Sequence, residues 1–278
     1  MRLTKGHGTE NDFLLTREDA PADAVRKLCD RHAGIGADGL IVAAPAAHAG
    51  YDSRAEWFMD YRNADGSLSE MCGNGIRVFV AYLRAEGLIA LSEGESVVIA
   101  TRGGDRDVRY DGGELYTVDM GPAMFPGGAD AVDRGWDVAV TLPEHAPRPG
   151  LRVSMPNPHT VVTLESLESL RDVRFDGVGY DPVPESGTNL EVVVPRGASE
   201  GIGAVEMRVL ERGVGETRSC GTGCCAAAVA MNLWAGEDSP RIWDVHVPGG
   251  TVRVTIAEET VYLTGPAVLV AEVTSRIL

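Results

Sequence analysis

The feature that most constrains this chain of 278 residues is a short motif that occurs twice. Cys-Gly-Asn-Gly at 72–75 is matched by Cys-Gly-Thr-Gly at 220–223, 148 positions later. Each motif precedes a run of apolar residues, 76–83 and 224–231, in which the single charged residue is Arg77. Because a helix that is apolar on nearly all sides is buried, we predict two buried helices, each with a cysteine at its N-terminal end.

Other residues repeat at nearly the same spacing, so the similarity of the two halves extends beyond the cysteines. The matching residues are Met59 and Met207 at 148, Gly121-Pro122 and Gly265-Pro266 at 144, and Asn11 and Asn157 at 146. A period this long is typical of a duplicated domain rather than of a solenoid. We therefore predict two pseudo-symmetric domains, one formed by residues 1–118 and 265–278 and the other by residues 119–264. The strand-like segment 268–273 is expected to return to the sheet of the first half.

The fold class predicted from these patterns is α+β. Short β-rich segments surround the apolar helices, at 2–17, 40–44, 58–61, 96–100, 107–110 and 115–118 in the first half and at 190–194, 205–210, 252–256 and 261–264 in the second. An amphipathic helix is predicted over 22–31. Each domain is expected to be a curved sheet or partial barrel wrapped around its central helix, with the cysteines facing a cleft between the halves.

Charge and cysteine content argue against several classes of protein. A formal net charge of -16 and a pI near 4.8 disfavour binding to nucleic acid or to anionic membranes. The N-terminus has no apolar signal core and no apolar run approaches the roughly 20 residues that span a bilayer, so a cytoplasmic location is expected. Five cysteines, an odd number, do not form a secreted disulfide framework. Reduced thiols are expected, with Cys29 as a core residue.

The two cysteine motifs suggest proton transfer at a carbon. A helix N-terminus stabilises a thiolate, and the small residues after each sulfur leave backbone N–H groups free to bind a carboxylate. When an α-proton leaves an amino acid, negative charge flows into that carboxylate, where such donors stabilise it. A thiolate on one face of the carbon and a thiol on the other can therefore invert it. No lysine in a recognisable motif indicates pyridoxal phosphate, and we expect no cofactor and no metal.

Three other interpretations of the cysteines stay open at this point. Cys220, Cys224 and Cys225 are a possible metal-ligand set, although the second pair of Cys or His residues that zinc spacing requires is missing. A bond between Cys72 and Cys220 would indicate a redox protein, but the Cys-x-x-Cys arrangement of thiol oxidoreductases is missing as well. A binding protein would need the helix ends without needing sulfur on both.

These motifs resemble those of the diaminopimelate epimerases. The resemblance rests on MCGNGIR at 71–77, preceded by NADGS at 63–67, and on ERGVGET at 211–217, which leads to the second cysteine motif. It extends over nearly the whole chain, through NDF at 11–13, MPNPH at 155–159, GTNLE at 187–191, PGG at 248–250 and GPA at 265–267. It implies interconversion of LL- and meso-2,6-diaminopimelate, a step towards lysine and cell-wall precursors, by a homodimer.

The resemblance also implies a role for each matching residue. Cys72 and Cys220 would be the two bases and would exchange roles with the direction of reaction. The residues expected to hold the reacting carboxylate at the helix ends are Gly73, Asn74, Gly221 and Thr222. The residues expected to tune the thiols are His159 and Glu211, with Glu211 next to the reacting ammonium. The residues expected to grip the substrate, several of them at its distal end, are Asn11, Asn63, Asn157, Asn189 and Arg212, the last through its planar fork.

Some of these residues also have a purely structural interpretation, and two positions differ from the pattern. Asn63 stands in a turn sequence, where Asn is common for backbone reasons. Glu10 precedes Asn11 where these epimerases commonly have glycine, and Gly39 stands where some have a substrate-contacting glutamine. The alternatives that remain are a two-cysteine racemase for another amino acid, such as proline or histidine, and a non-catalytic binding or redox protein on the same fold.

Overall fold

The structure is a computed structural model that describes residues 1–277. It contains two compact units: one is Met1–Asp119 together with the segment that begins at Thr264, and the other is Met120–Leu263. The domain boundaries given above describe a duplication and stay a prediction. Among residues 1–277, none of the helices combines the length and the apolar composition that crossing a bilayer requires.

The first unit is a mixed sheet around one buried helix. Its helices are α1 (Ala22–Cys29) and α2 (Gly73–Ala85), and its first seven strands are β1 (Arg2–Gly8), β2 (Asn11–Thr16), β3 (Gly39–Pro45), β4 (Trp57–Asn63), β5 (Ser96–Ala100), β6 (Arg106–Gly112) and β7 (Leu115–Asp119). Neighbouring pairs from β1 to β6 are antiparallel, parallel, antiparallel, parallel and antiparallel in turn. Because α2 packs against β1 to β4, β6 and β7, the sheet curves around it.

The second unit repeats this topology. Its helices are α3 (Gly128–Arg134), α4 (Leu167–Asp172) and α5 (Gly221–Ala235), and its strands are β8 (Val138–Thr141), β9 (Arg148–Ser154), β10 (Pro158–Thr163), β11 (Gly179–Asp181), β12 (Asn189–Ser199), β13 (Ile202–Glu211), β14 (Gly215–Thr217), β15 (Ile242–Val247), β16 (Gly250–Ile256) and β17 (Val261–Pro266). The order β9, β10, β12, β13, β15, β16 has the same alternation of directions as β1 to β6, and α5 packs against all six strands. The predicted α+β fold, a curved sheet around a central helix in each half, is confirmed.

The end of the chain completes the first sheet. Strand β18 (Val268–Thr274) pairs antiparallel with β1, from Arg2 opposite Thr274 to His7 opposite Val268. The predicted return of this segment to the first half is therefore correct. Its pairing places β1 between two strands, since the other edge of β1 is bonded to β2.

Element boundaries differ from the predicted ones in ways that have local causes. Helix α1 ends at Cys29 rather than at residue 31, because Asp30 adopts an extended backbone and its carboxylate accepts hydrogen bonds from the next turn. Most predicted strands are a few residues longer than expected. The sequence patterns did not indicate β8 to β11, β14, β15, α3 or α4. Cys29 is buried in a cluster with Leu3 and Leu28, and its burial, followed by the nearby Asp12 carboxylate, raises the pKa of its thiol to about 12.

Helix α2 carries a charged residue inside the core. Arg77 is fully buried, and its guanidinium donates to the Gly73 carbonyl at 3.0 Å and to Asn74 Oδ1 at 2.9 Å. Its Nε also donates to the Pro266 carbonyl at 3.4 Å. A Cβ on Gly8 would lie 3.0 Å from Arg77 Nη2, so the glycine leaves room for the guanidinium. Arg77 thus joins the first turn of α2 to the segment that enters β18.

Replacing Arg77 with methionine tests this contribution. Arg77→Met leaves several buried acceptors without donors, and we expect it to lower the free energy of unfolding by about 2–4 kcal/mol. Urea denaturation followed by circular dichroism measures the change. The matched control is Arg109→Met, which removes a half-exposed pair with Asp111 and is expected to cost less than about 1 kcal/mol. Equal losses in the two variants would contradict this account of Arg77.

Candidate active site

Cys72 is the N-cap residue of α2. Its backbone is extended, with φ -140° and ψ 120°, and its Sγ accepts a hydrogen bond from the Gly75 N–H at 3.4 Å. The sulfur therefore lies at the positive end of the helix, as predicted. The Cys72 thiol also donates to Asn11 Oδ1 at 3.5 Å.

The amide of Asn11 is held with its oxygen toward α2. Its Nδ2 donates to Asp38 Oδ2 at 2.7 Å, and its Oδ1 accepts from Asn74 Nδ2 at 3.3 Å. Asp38 in turn is paired with Arg31 at 2.6 Å, and Arg31 also reaches Asp12. A carboxylate accepts hydrogen bonds and does not donate them, so Asp38 fixes which face of the amide meets the cysteine.

Asp12 is the carboxylate that connects the charged residues of this group. Burial alone raises the pKa of its carboxyl, but the opposing contacts with Arg31 and Lys5 outweigh burial and leave that pKa below its usual value. Lys5 Nζ lies 2.7 Å from Asp12 Oδ2. Asp12 therefore stays ionised and keeps Arg31 in place against Asp38.

Cys220 occupies the equivalent position at the start of α5. It is the N-cap residue, with φ -126° and ψ 113°, and its Sγ accepts from the Gly223 N–H at 3.4 Å and lies 3.5 Å from Thr222 Oγ1. Burial raises the pKa of the Cys220 thiol, and the carboxylates of Glu211 and Glu191 raise it further. The helix end alone predicts a lowered pKa, so the direction is opposite to that expectation, and Cys220 is the thiol form at neutral pH.

A line of hydrogen-bonded side chains leads from Thr222 to a buried carboxylate. Asn157 Nδ2 donates to Thr222 Oγ1 at 3.2 Å, and Asn157 Oδ1 lies 3.0 Å from His159 Nε2. The other ring nitrogen, His159 Nδ1, lies 2.7 Å from Glu191 Oε1. The side chains of His159 and Glu191 are both fully buried.

The remaining predicted residues of this unit form a second group of contacts. Asn189 Oδ1 accepts from the Arg212 backbone N–H at 2.9 Å, and Asn189 Nδ2 donates to the Pro158 carbonyl at 3.1 Å. Thr217 Oγ1 donates to Glu211 Oε1, and Arg212 Nη1 donates to the Ser186 carbonyl. A cavity of about 400 Å³ opens beside His159, and its lining includes Thr188, the residue before Asn189.

Comparisons with known proteins extend over nearly the full chain. The family model described as diaminopimelate epimerase matches residues 3–126 and 151–270. A protein named diaminopimelate epimerase from Streptomyces coelicolor is 45% identical over 289 residues, which cover 98% of this chain and 94% of that protein. The chain belongs to the diaminopimelate epimerase family.

Solved structures of lower identity share the fold of this diaminopimelate epimerase family member. A phenazine biosynthesis protein of the PhzF family from Bacillus anthracis has a TM-score of 0.68 at 15% identity, with 98% of both chains covered. A probable proline racemase from Agrobacterium radiobacter K84 has a TM-score of 0.69 at 14% identity, with 99% of this chain and 93% of that chain covered. These two likenesses concern the fold.

Of the two positions that differ from the usual diaminopimelate epimerase pattern, Gly39 has a structural explanation and Glu10 has none. Glu10 adopts φ 61°, the left-handed region that glycine favours, in the tight turn that precedes Asn11. A Cβ on Gly39 would lie 2.5 Å from both the Arg62 carbonyl oxygen and a ring carbon of Tyr61, so a side chain does not fit there. Any substrate contact at Gly39 has to come from its backbone or from other residues.

Asn63 lies opposite Gly39 in the pairing of β3 with β4. Its Nδ2 donates to Ser67 Oγ at 3.0 Å, and its backbone N–H donates to the Ser67 carbonyl at 2.9 Å. These bonds close the turn at 63–67, as its structural interpretation predicts. Its role in binding substrate, like the roles of the other residues assigned by resemblance, stays a prediction.

Two observations bear on metal binding and on thiol pairing. Within residues 1–277, no group of three or more His, Cys, Asp or Glu side chains is arranged to hold a metal ion. All five cysteines are free thiols: Cys29, Cys72, Cys220, Cys224 and Cys225.

Glu191 is the residue at this site that sequence reasoning did not single out. It follows Leu190 in an otherwise apolar strand segment, and a buried carboxylate there requires a partner. That combination was the available signal. A Cβ on Gly223 would lie 2.6 Å from Glu191 Oε1, so the carboxylate lies against the first turn of α5.

Alanine substitutions at the two equivalent glycines test this packing. Gly223→Ala has to displace a buried carboxylate, and we expect it to lower the free energy of unfolding by about 1–3 kcal/mol. The matched variant is Gly75→Ala, whose new Cβ would have its closest contact with Ile41 at 3.3 Å. Since alanine also favours the helix by about 0.5–1 kcal/mol, Gly75→Ala should be nearly neutral in urea denaturation. A larger loss for Gly75→Ala would contradict this reading.

Proposed function

We propose that this protein is a diaminopimelate epimerase that interconverts LL- and meso-2,6-diaminopimelate, a reaction of lysine and peptidoglycan precursor synthesis. The observation that carries the proposal is the pair of N-cap cysteines, each on an equivalent buried helix within the region that the family model matches. Two thiols are what a cofactor-independent inversion requires. We propose no metal and no cofactor for the reaction.

The proposed mechanism moves one proton off the α-carbon and returns another to its opposite face. In one direction Cys72, as thiolate, takes the α-proton, and Cys220, as thiol, gives its proton to the carbon. Cys72 is then the thiol and Cys220 the thiolate, which is the state from which the opposite direction starts. The raised pKa of Cys220 supports its role as proton donor in the first of these directions.

The helix ends are suited to the charge that develops during this step. Gly73 and Gly221 begin their helices, and the N–H groups of a helix's first turn have no partner inside the helix. We propose that they bind the substrate's reacting carboxylate together with Asn74 and Thr222. Donors placed in advance stabilise a carbanion more than they stabilise the ground state, because charge flows into the carboxylate only as the proton leaves.

The other predicted residues are proposed to hold the rest of the substrate. Glu211 would face the reacting ammonium, and His159 would help to tune the thiols. Arg212 would bind the distal carboxylate. Its Nη1 contacts the Ser186 carbonyl, and a guanidinium has five N–H donors, so others are left for the carboxylate. The asparagines proposed to complete the binding of substrate are Asn11, Asn63, Asn157 and Asn189.

The setting of the enzyme is also proposed from its sequence and its family. The resemblance supports a homodimer. Five free cysteines support a reducing compartment such as the cytoplasm. The equivalent topologies of the two units support a duplication with the domain boundaries given in the sequence analysis.

Single alanine substitutions of the two cysteines test the mechanism. Without a general base or a general acid, Cys72→Ala and Cys220→Ala should each lose at least about 10³-fold in epimerisation rate. The measurement is conversion of LL-diaminopimelate in deuterium oxide with no cofactor added, which also reports uptake of deuterium at the α-carbon. Cys29→Ala removes a buried thiol from the core and should keep its turnover. Near-normal turnover by either of the first two variants would exclude two-base catalysis.

Arg212→Lys tests recognition of the distal end of the substrate. Lysine keeps the charge and loses the fork that binds both carboxylate oxygens, so we expect KM for diaminopimelate to rise roughly tenfold with a smaller change in kcat. Steady-state kinetics with diaminopimelate, and with proline and histidine as a substrate panel, measure this. Arg196→Lys, in an exposed pair with Glu206, is the control. Turnover of proline or histidine in preference to diaminopimelate would overturn the substrate assignment.

A further inference from the structure

The two units place different side chains behind equivalent helix ends. In the first unit, β2 and β3 run parallel and bring Phe13 and Ile41 to the start of α2. In the second, β10 and β12 have the same parallel pairing and bring His159 and Glu191 to the start of α5. Matching the two registers equates Phe13 with His159 and Ile41 with Glu191.

The space beside each helix confirms that these positions are equivalent. A Cβ on Gly75 would meet Ile41 Cδ1 at 3.3 Å and Phe13 Cε1 at 3.4 Å. A Cβ on Gly223 would meet Glu191 Oε1 at 2.6 Å. The first turn of α2 therefore rests on two apolar side chains, whereas the first turn of α5 rests on a carboxylate.

A second difference between the two units also places a carboxylate near Cys220. Glu211 lies 148 positions after Asn63, the spacing that also relates the two cysteines. Both carboxylates that act on Cys220, Glu191 and Glu211, thus have uncharged residues at the equivalent positions of the first unit. The ionisable groups on the elements packed against α5 are Arg148 and Arg152 on β9, His159 on β10, Glu191 and Arg196 on β12, Glu206, Arg208 and Glu211 on β13, Asp244 and His246 on β15, and Arg253 on β16, besides Cys224 and Cys225 on α5 itself. Of these, the charged groups that act on Cys220 are Glu211 and Glu191.

The surroundings of Glu191 favour a strong effect of its charge. Its Oε1 is taken by His159, and its Oε2 has no hydrogen-bond partner within residues 1–277. Because this side chain is fully buried, a negative charge on it would be weakly screened. Forming a thiolate beside it would place two negative charges in the same low-dielectric region, which disfavours the charged form of the thiol.

We propose that Glu191 is a positioning residue for the proton transfer: held in place by His159, it keeps Cys220 in the thiol form before substrate binds. The inference rests on the proposed function, in which Cys220 is the proton donor of the first half-reaction. It explains why a carboxylate is buried at the start of α5. The positions equivalent to this pair hold Phe13 and Ile41 beside Cys72, so the two helix ends rest on different side chains.

The test is a pH titration of the two cysteines by nuclear magnetic resonance, with ¹³C at Cβ and with Cys72→Ser and Cys220→Ser used for assignment. Glu191→Gln keeps the shape and a hydrogen bond to His159 and removes the charge. We expect the midpoint of Cys220 to fall by roughly one pH unit, a tenfold change in thiolate population. The midpoint of Cys72 in the same molecule serves as the internal control and should not move.

A second variant guards against a folding defect in the first. His159→Phe combined with Glu191→Ile copies the apolar pair of the first unit, and replacing a buried polar pair with well-packed apolar residues is often tolerated. The midpoint of Cys220 should again fall. An unchanged Cys220 midpoint in both variants, or equal shifts of both cysteines, would overturn the proposal. The titration needs no substrate, so a failure of the wild-type protein to epimerise diaminopimelate would reject the proposed function separately.

Discussion

The hydrogen bond from the third helical N–H to an N-cap sulfur is the interaction on which both candidate catalytic positions depend. It occurs at 3.4 Å in each unit, from Gly75 to Cys72 and from Gly223 to Cys220. The bond requires the helix to begin immediately after the cysteine. Glycine at the third position lets the strands approach the helix, most closely in the second unit, where a Cβ on Gly223 would lie 2.6 Å from Glu191 Oε1. The Cys-Gly-polar-Gly motif is therefore suited to a helix whose first turn lies against the strands of its own sheet.

The protonation state of Cys220 depends on two opposing effects of different size, the helix end and burial. A helix end contributes about 0.3–1 kcal/mol at an exposed site, which is less than one pKa unit. Burial shifts the pKa of a fully enclosed group by up to several units. For Cys220, burial and two carboxylates all act against the helix end, so the thiol form is favoured. The two equivalent frameworks thus place different sheet residues behind their cysteines, Ile41 behind the first turn of α2 and Glu191 behind the first turn of α5.

Whether a structural feature depends on neighbouring or on distant residues explains how far the sequence could predict it. The buried helices, the duplicated α+β fold and the return of the last strand follow from apolar runs and repeat spacing, both of which are visible along the chain. Glu191 was not predicted to act on Cys220, because its partners depend on the parallel register of β12 with β10. The missed strands β8 to β10 are short or lack clear alternation, so their pairing decides their structure. The clash at Gly39 likewise involves β4, a strand distant in sequence.

The pairing of β18 with β1 has a consequence for the order in which the chain acquires its structure. The Met1 amino group donates to the Ser275 carbonyl at 3.2 Å, and the Ser275 N–H donates to the Met1 carbonyl at 2.9 Å. During synthesis on the ribosome, β1 is made long before β18, so this edge stays unpaired while the residues between them are added. The second unit, Met120–Leu263, is complete before β18 is made and can therefore fold first. Until β18 has been made, β1 presents an unpaired strand edge, the kind of surface that is prone to aggregation.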